Sequence, residues 1–142
     1  MPEVVNWQTG DVLKTVASVG IVKGDLNGRL RCGHSQLTVN KPIRLLVYTP
    51  EGTQITEYQL IRLRSHHDAR EFRTVTGGVL HVSGGSQRDN LPFSNRHIAT
   101  RTWTIALNDL RPGEYGLLPP GAIEARSASA QLGKMYTFTV NE

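Results

Sequence analysis

Histidine and aspartate side chains offer the first candidates for metal chemistry in this chain of 142 residues. The adjacent pair His66-His67, followed by Asp68, is the most metal-like feature. Neighbouring residues of a strand point to opposite faces, so this pair would share an ion only from within a turn. No second pair of ligands stands at a familiar spacing. We therefore expect no metal site and interpret the pair as an exposed turn between two strands.

The candidate nucleophiles lack neighbours that would activate them. Cys32 and His34 stand two residues apart, whereas cysteine–histidine enzymes assemble this pair from distant segments. Ser86 lacks the Gly-x-Ser-x-Gly turn that raises a hydrolase serine above its sheet. Gly84, Gly85 and Arg88 offer donors for an anion nest, but no P-loop framework or helix accompanies them. We predict no catalytic residue and no cofactor, with a hydrolytic site assembled from loops as an alternative.

Arginine supplies the clearest candidate surface. The chain has 16 Lys and Arg against 12 Asp and Glu, a net charge of +4, and only four lysines. The candidate arginines are Arg29, Arg31, Arg62, Arg64, Arg70 and Arg73. Those two residues apart share a strand face. A nucleic-acid surface would interleave aromatic side chains with such charges, and few occur here. The pattern favours a solvated face or one that contacts a protein, with a glycan or other polyanion as an alternative, and argues against nucleic acid.

The elements that must position these residues are short β-rich runs separated by glycine and proline, because apolar residues rarely recur at helical spacing. We predict strands at residues 12–19, 43–49, 55–64, 72–76, 79–83, 98–107 and 135–140. Asn27-Gly28 predicts a hairpin turn, and residues 50–53 predict a turn that joins strands 43–49 and 55–64 in a hairpin. Predicted core residues are Val47, Trp103, Tyr115 and Phe138.

Two long loops, at residues 84–95 and 119–133, are predicted to carry recognition. The second has about 15 residues, where a hairpin needs two to five. In a sandwich it would lie at the same end as residues 32–41, so the two would form one contact surface; a disordered excursion is the alternative. The predicted interaction residues are Arg62, Arg64, Arg73, Arg88, Ile123, Arg126 and Leu132.

No repeat or linker divides the chain, so residues 1–142 are expected to form one all-β domain, an antiparallel sandwich. Leu110-Arg111-Pro112-Gly113-Glu114-Tyr115 resembles the tyrosine corner of immunoglobulin-like and fibronectin-like sandwiches, in which a tyrosine hydroxyl bonds to nearby backbone. The paired cysteines of antibody domains are absent. Residues 70–78 and 113–121 are similar to segments of uncharacterised bacterial proteins that are often exported. The resemblance implies a bacterial envelope or exported protein and names no activity.

The leading functional hypothesis is a non-enzymatic binding or structural module that acts through protein contacts, self-association included. No apolar run of about 18 residues could span a membrane, and the start Met1-Pro2-Glu3 lacks the basic and apolar regions of a signal peptide. A leader or domain removed upstream is compatible with that start. The single Cys32 cannot form an internal disulfide, so it permits a reducing or an oxidising compartment. We expect an exported or periplasmic location, with the cytoplasm left open.

Overall fold

The computed structural model describes residues 2–9, 25–75, 89–120 and 133–142. Within these ranges the regular structure is β-strand, apart from a 3-10 turn at Ile55–Glu57. The strands are β1 Glu3–Val4, β2 Asn6–Thr9, β3 Asp25–Arg31, β4 Thr38–Val39, β5 Arg44–Tyr48, β6 Gln59–Ser65, β7 Ala69–Val75, β8 Asn90–Leu91, β9 Ser94–Ala99, β10 Thr102–Ala106, β11 Gly113–Leu118 and β12 Lys134–Val140. The predicted all-β class is confirmed.

The larger sheet has the order β1-β12-β11-β6-β7-β3-β2, with β8 also paired to β6 and β4 to β12. Its pairings are antiparallel except that of β4 with β12, which is parallel. The sheet curls into a nearly closed, barrel-like form, and this curl brings Glu3 of the edge strand β1 into contact with Arg70 of β7. Its interior holds the buried side chains of Val5, Leu30, Ile61, Leu63, Phe72, Leu118 and Met135.

The smaller sheet has the order β5-β10-β9 and packs on the outer face of the larger one. Alternation along β5 directs Leu45 and Val47 towards the larger sheet and exposes Leu46 and Tyr48. The core between the sheets comprises Ile43, Ile55, Tyr58, Leu60, Ile105, Leu107, Leu110, Tyr115, Leu117, Phe138 and Val140. Burial of Tyr115 and Phe138 is therefore confirmed, whereas Val47 and Trp103 are only partly buried.

Several local predictions are confirmed. The strand β5 matches the predicted 43–49 run, and Ile61 and Leu63 of β6 are buried while Arg62 and Arg64 are exposed. The segment His66-His67-Asp68 forms the exposed turn between β6 and β7, closed by a bond from His66 N–H to the Ala69 carbonyl.

The turn predicted at Asn27-Gly28 is wrong, because both residues lie within β3, between β2 and β7. Gly28 is needed there for packing: a Cβ at this position would lie 2.2 Å from Cζ of Phe72. An Asn-Gly pair favours a turn locally, but Gly also permits this close approach of a ring to the backbone.

The predicted hairpin of strands 43–49 and 55–64 is also wrong. β5 pairs with β10 in the smaller sheet, while β6 pairs with β11, β7 and β8 in the larger one. The turn after Pro50 does form, with Thr53 N–H bonded to the Pro50 carbonyl. It is followed by the 3-10 turn, which carries the chain from one layer to the other.

The single strand predicted over 98–107 is two strands, β9 and β10, which form a hairpin. Arg101 at the turn adopts a φ of 54°, a conformation usually left to glycine or asparagine, so no local signal marks the turn. The predicted end of the loop at residue 95 is also wrong, because β8 and the start of β9 lie before that residue. The predicted strands 12–19 and 79–83 lie outside the described residues.

The loop at 119–133 joins β11 to β12, as predicted, and residues 121–132 of it lie outside the described ranges. The loop begins after Leu118, at the end of β11, and ends before Lys134, at the start of β12. Residues 34–35 instead contact Glu114 and the segment continues into β4 beside Thr139, at the opposite end of the same strand pair. The expectation that residues 32–41 and the loop at 119–133 lie at the same end of the domain is therefore wrong for the residues that the structure describes.

Candidate functional site

A buried ion-pair network links three parts of the larger sheet. Arg70, with no exposed side-chain surface, donates to the carboxylate of Glu3 and lies 3.6 Å from that of Glu114. Its guanidinium also donates to Ser35 Oγ at 2.6 Å and to the carbonyls of Arg31 and Cys32 at 3.1 and 3.0 Å. The prediction that Arg70 belongs to a solvated or partner-facing arginine surface is wrong. Arg70 lies two residues before the buried Phe72, so both side chains point to the same face of β7. This spacing was the sequence signal that could have predicted the burial of Arg70.

Glu114 is the acceptor at the centre of this network, with its side chain 5% exposed. Ser35 donates to it twice, from N–H at 2.9 Å and Oγ at 2.6 Å, and Thr139 Oγ1 donates at 2.6 Å. Burial raises the pKa of Glu114, but these hydrogen bonds and one with His34 outweigh burial and hold the pKa below its ordinary value. The carboxylate is therefore ionised at neutral pH.

The same groups do not form a catalytic triad. Ser35 Oγ donates to the Glu114 carboxylate, and His34 Nδ1 lies 3.4 Å from the same carboxylate. A serine nucleophile needs its proton directed at the imidazole, with the carboxylate behind the ring. Here the serine hydroxyl donates directly to the carboxylate and not to the imidazole. The arrangement therefore holds the segment around Ser35 in place and does not activate the serine.

The structure describes three of the seven predicted interaction residues, Arg62, Arg64 and Arg73. Arg62 and Arg64 are exposed on β6, and Arg64 and half-buried Arg73 line one small cavity of about 130 Å³. Arg64 is paired with Asp89 at 3.3 Å. Within the described residues no carboxylate pairs with the guanidinium of Arg62 or Arg73. The other predicted interaction residues, Arg88, Ile123, Arg126 and Leu132, lie outside the described ranges.

A groove of about 360 Å³ lies between the free edge of β5 and the larger sheet. Its floor includes Leu117 and Phe138 of the core between the sheets. Large exposed hydrophobic side chains cluster around it: Leu37, Leu46, Tyr48 and Tyr136, which are 55%, 70%, 62% and 51% exposed. Sequence reasoning did not identify this groove, because it assigned β5 to a hairpin with β6.

The backbone of β5 presents unpaired groups to the groove. Thr49 N–H bonds to the Arg101 carbonyl at 2.8 Å, and Leu107 N–H bonds to the Ile43 carbonyl at 3.0 Å. In this antiparallel register the odd-numbered residues of β5 bond to β10, so the even-numbered ones point the other way. The N–H and C=O groups of Arg44, Leu46 and Tyr48 therefore face away from β10, and among the described residues they have no backbone partner.

Searches against protein-family models, characterised proteins and solved structures found no match. In the described part of the chain, no cluster of three or more His, Cys, Asp or Glu side chains could hold a metal ion. No helix in those ranges is long and apolar enough to cross a bilayer. The groove beside β5 and the arginine surface are two candidate binding sites that the geometry supports.

Proposed function

We propose that this domain is a non-enzymatic binding module that recognises a protein partner by adding an extended segment to the free edge of β5. One observation carries the proposal: among the described residues β5 has no strand partner on one side, and that side borders an apolar groove lined by four exposed large hydrophobic side chains. Strand addition of this kind gains affinity from main-chain hydrogen bonds and specificity from side-chain pockets beside the edge.

The outward-facing residues of β5 carry little protection against pairing, although Pro42 and Pro50 limit the edge at its two ends. Natural edge strands avoid unwanted partners through lysine, proline, bulges or a covering segment. Between Arg44 and Tyr48 the only such feature is the charge of Arg44 itself, and the centre of the strand is Leu46. A segment added here would satisfy up to six backbone groups, the N–H and C=O of three residues.

We also propose that the domain is related to immunoglobulin-like sandwiches and that the protein is exported. The tyrosine corner supports the first locally, because Tyr115 Oη donates to the Arg111 carbonyl at 2.7 Å, as the resemblance implied.

A polyanion site on the arginine surface is the second candidate, favoured by the guanidinium groups of Arg62 and Arg73, which have no carboxylate partner in the part of the chain that the structure describes. Replacing Arg62 and Arg64 together with alanine is expected to weaken heparin retention and reduce its salt dependence. Negligible retention of the unaltered protein at ~50 mM salt, where screening is weak, would exclude this candidate.

The strand-addition proposal is tested with a displayed library of random peptides and two variants at one position. Leu46→Pro removes the N–H that faces the groove without touching the ladder to β10, whereas Leu46→Ala removes only the side chain. We expect the wild-type protein to enrich peptides that Leu46→Ala binds more weakly and Leu46→Pro does not bind.

Hydrogen exchange provides a second measurement in the wild-type protein, which needs no variant to fold. Exchange of the Leu46 and Tyr48 amides is expected to slow when an enriched peptide is added. Enriched peptides that bind Leu46→Pro as well as wild type, or that leave these amides unprotected, would refute the proposal.

A further inference from the structure

We infer that the segment bound at β5 is an acidic strand with apolar side chains at every second position. The inference rests on the proposed function and names the chemistry of the partner. Three features of the groove lead to it: the charge beside the edge, the neutral apolar floor and the wall opposite β5.

The smaller sheet is wholly basic in its charged residues. Its three strands contain Arg44 and Arg96 and no aspartate or glutamate, and Arg101 lies at the β9–β10 turn. The Arg101 guanidinium is already engaged by Tyr48, 4.7 Å from the ring centre and bonded to its hydroxyl. Arg44 is exposed and has no carboxylate partner within the described residues, so it is the charge available to an incoming strand.

Outward side chains of an added strand would stand next to those of Arg44, Leu46 and Tyr48. Directly opposed side chains on neighbouring strands lie about 4.5–5.5 Å apart at Cβ, and opposite charges there stabilise the pairing while like charges oppose it. A glutamate or aspartate beside Arg44 is therefore favoured over a lysine. The net charge of +4 on the chain acts in the same direction at low salt.

Inward side chains of the same strand would enter the groove. Leu37, Leu117 and Phe138 line it with apolar surface. Tyr58 also lines it, and burial, followed by the neighbouring Tyr136 and Glu57, raises the pKa of its phenol, which is therefore uncharged at neutral pH. This lining favours apolar residues at alternate positions of the partner.

The far side of the groove favours a lone segment over a second copy of the domain. Leu37 and Tyr136 form a wall opposite β5. That wall is tied to the larger sheet, because the Leu37 carbonyl accepts from Thr139 N–H at 2.7 Å and Ser35 is bonded to Glu114. A second β5 would bring its own wall into the same space, whereas an extended peptide carries none.

The inference is tested with two synthetic peptides, one alternating valine with glutamate and one alternating valine with lysine. We expect the glutamate peptide to bind wild-type protein roughly tenfold more tightly in fluorescence anisotropy at low salt. Arg44→Glu is expected to reverse this preference. Arg96→Glu is the matched control, because it changes the charge equally on β9, two strands from the edge, and is expected to leave the glutamate peptide preferred.

Each result separates this inference from the proposed function. Equal binding of the two peptides, or a preference that Arg44→Glu does not change, would refute the acidic partner and leave strand addition standing. The acidic partner would also be refuted, and strand addition would stand, if library peptides needed the Leu46 N–H while neither synthetic peptide bound. Dimerisation in sedimentation that Leu46→Pro abolishes would show that a second copy occupies the edge, which also refutes the inference. Absence of any Leu46-dependent peptide would refute the proposed function itself.

Discussion

Replacing Arg70 with alanine is expected to destabilise the protein by about 3–5 kcal/mol, because it leaves the buried carboxylate of Glu114 and the partly buried carboxylate of Glu3 without their cation. The Arg70 side chain has no exposed surface, and it bonds to Glu3, Ser35 and two backbone carbonyls besides lying close to Glu114. Unfolding entropy of roughly 2.1 cal/mol/K per residue gives about 0.3 kcal/mol/K for a chain of this length. The melting temperature should therefore fall by about 10–17 °C.

Urea unfolding followed by circular dichroism measures this loss, and Arg64→Ala provides the matched control. Arg64 also pairs with a carboxylate, Asp89 at 3.3 Å, but its side chain is 52% exposed. Asp89 is itself buried, but it keeps the bond from Arg73 N–H at 2.6 Å when Arg64 is lost, and the Arg64 guanidinium is half exposed to solvent, so the expected cost is about 1 kcal/mol. Adding Glu114→Gln to Arg70→Ala should recover part of the loss, since it removes one uncompensated charge. A cost for Arg70→Ala no larger than that for Arg64→Ala would refute the reasoning that this network closes the larger sheet.

Gly28→Ala should cost about 1–3 kcal/mol in thermal unfolding, because the new methyl would overlap the Phe72 ring; an unchanged melting temperature would contradict that packing. Tyr115→Phe should cost about 1 kcal/mol by removing the bond to the Arg111 carbonyl, and no measurable loss in urea unfolding would show that the corner is not stabilising. Because the pKa of Glu114 is lowered in the folded state, its contribution is complete above the ordinary value of 4.5 and is lost as the pH falls towards its folded value. Glu114→Gln should flatten the acid limb of the stability curve, and an unchanged limb would contradict the assignment.

The local chemistry of individual runs could be predicted from sequence. Alternation along residues 43–49 and 59–65 depends only on the two-residue period of a strand, so the buried and exposed faces of β5 and β6 follow directly. The Tyr115 corner is similarly local, because the donor and its acceptor at Arg111 are four residues apart. The scarcity of helix also follows from the spacing of apolar residues, because this spacing indicates the local backbone conformation whichever segments pair with it.

Strand pairing could not be predicted in the same way, because it depends on contacts between residues far apart in the chain. Nothing near residues 50–55 distinguishes a hairpin from a crossing between layers, and β5 instead pairs with β10, some sixty residues later. Within the described ranges that pairing leaves one side of β5 without a strand partner, and the groove lies along this side with Leu37 and Tyr136 in its lining.

Composition and alternation thus determined the β class and the faces of the main strands, and a local resemblance indicated the corner, since each is set within a few residues. Burial of Arg70 between Glu3 and Glu114 was decided only by the tertiary structure, which joins residues 3, 35, 70 and 114 through the curl of one sheet. A charge can leave water only where its partners are already assembled. That assembly is a property of the curled, nearly closed sheet and not of any one segment of the chain.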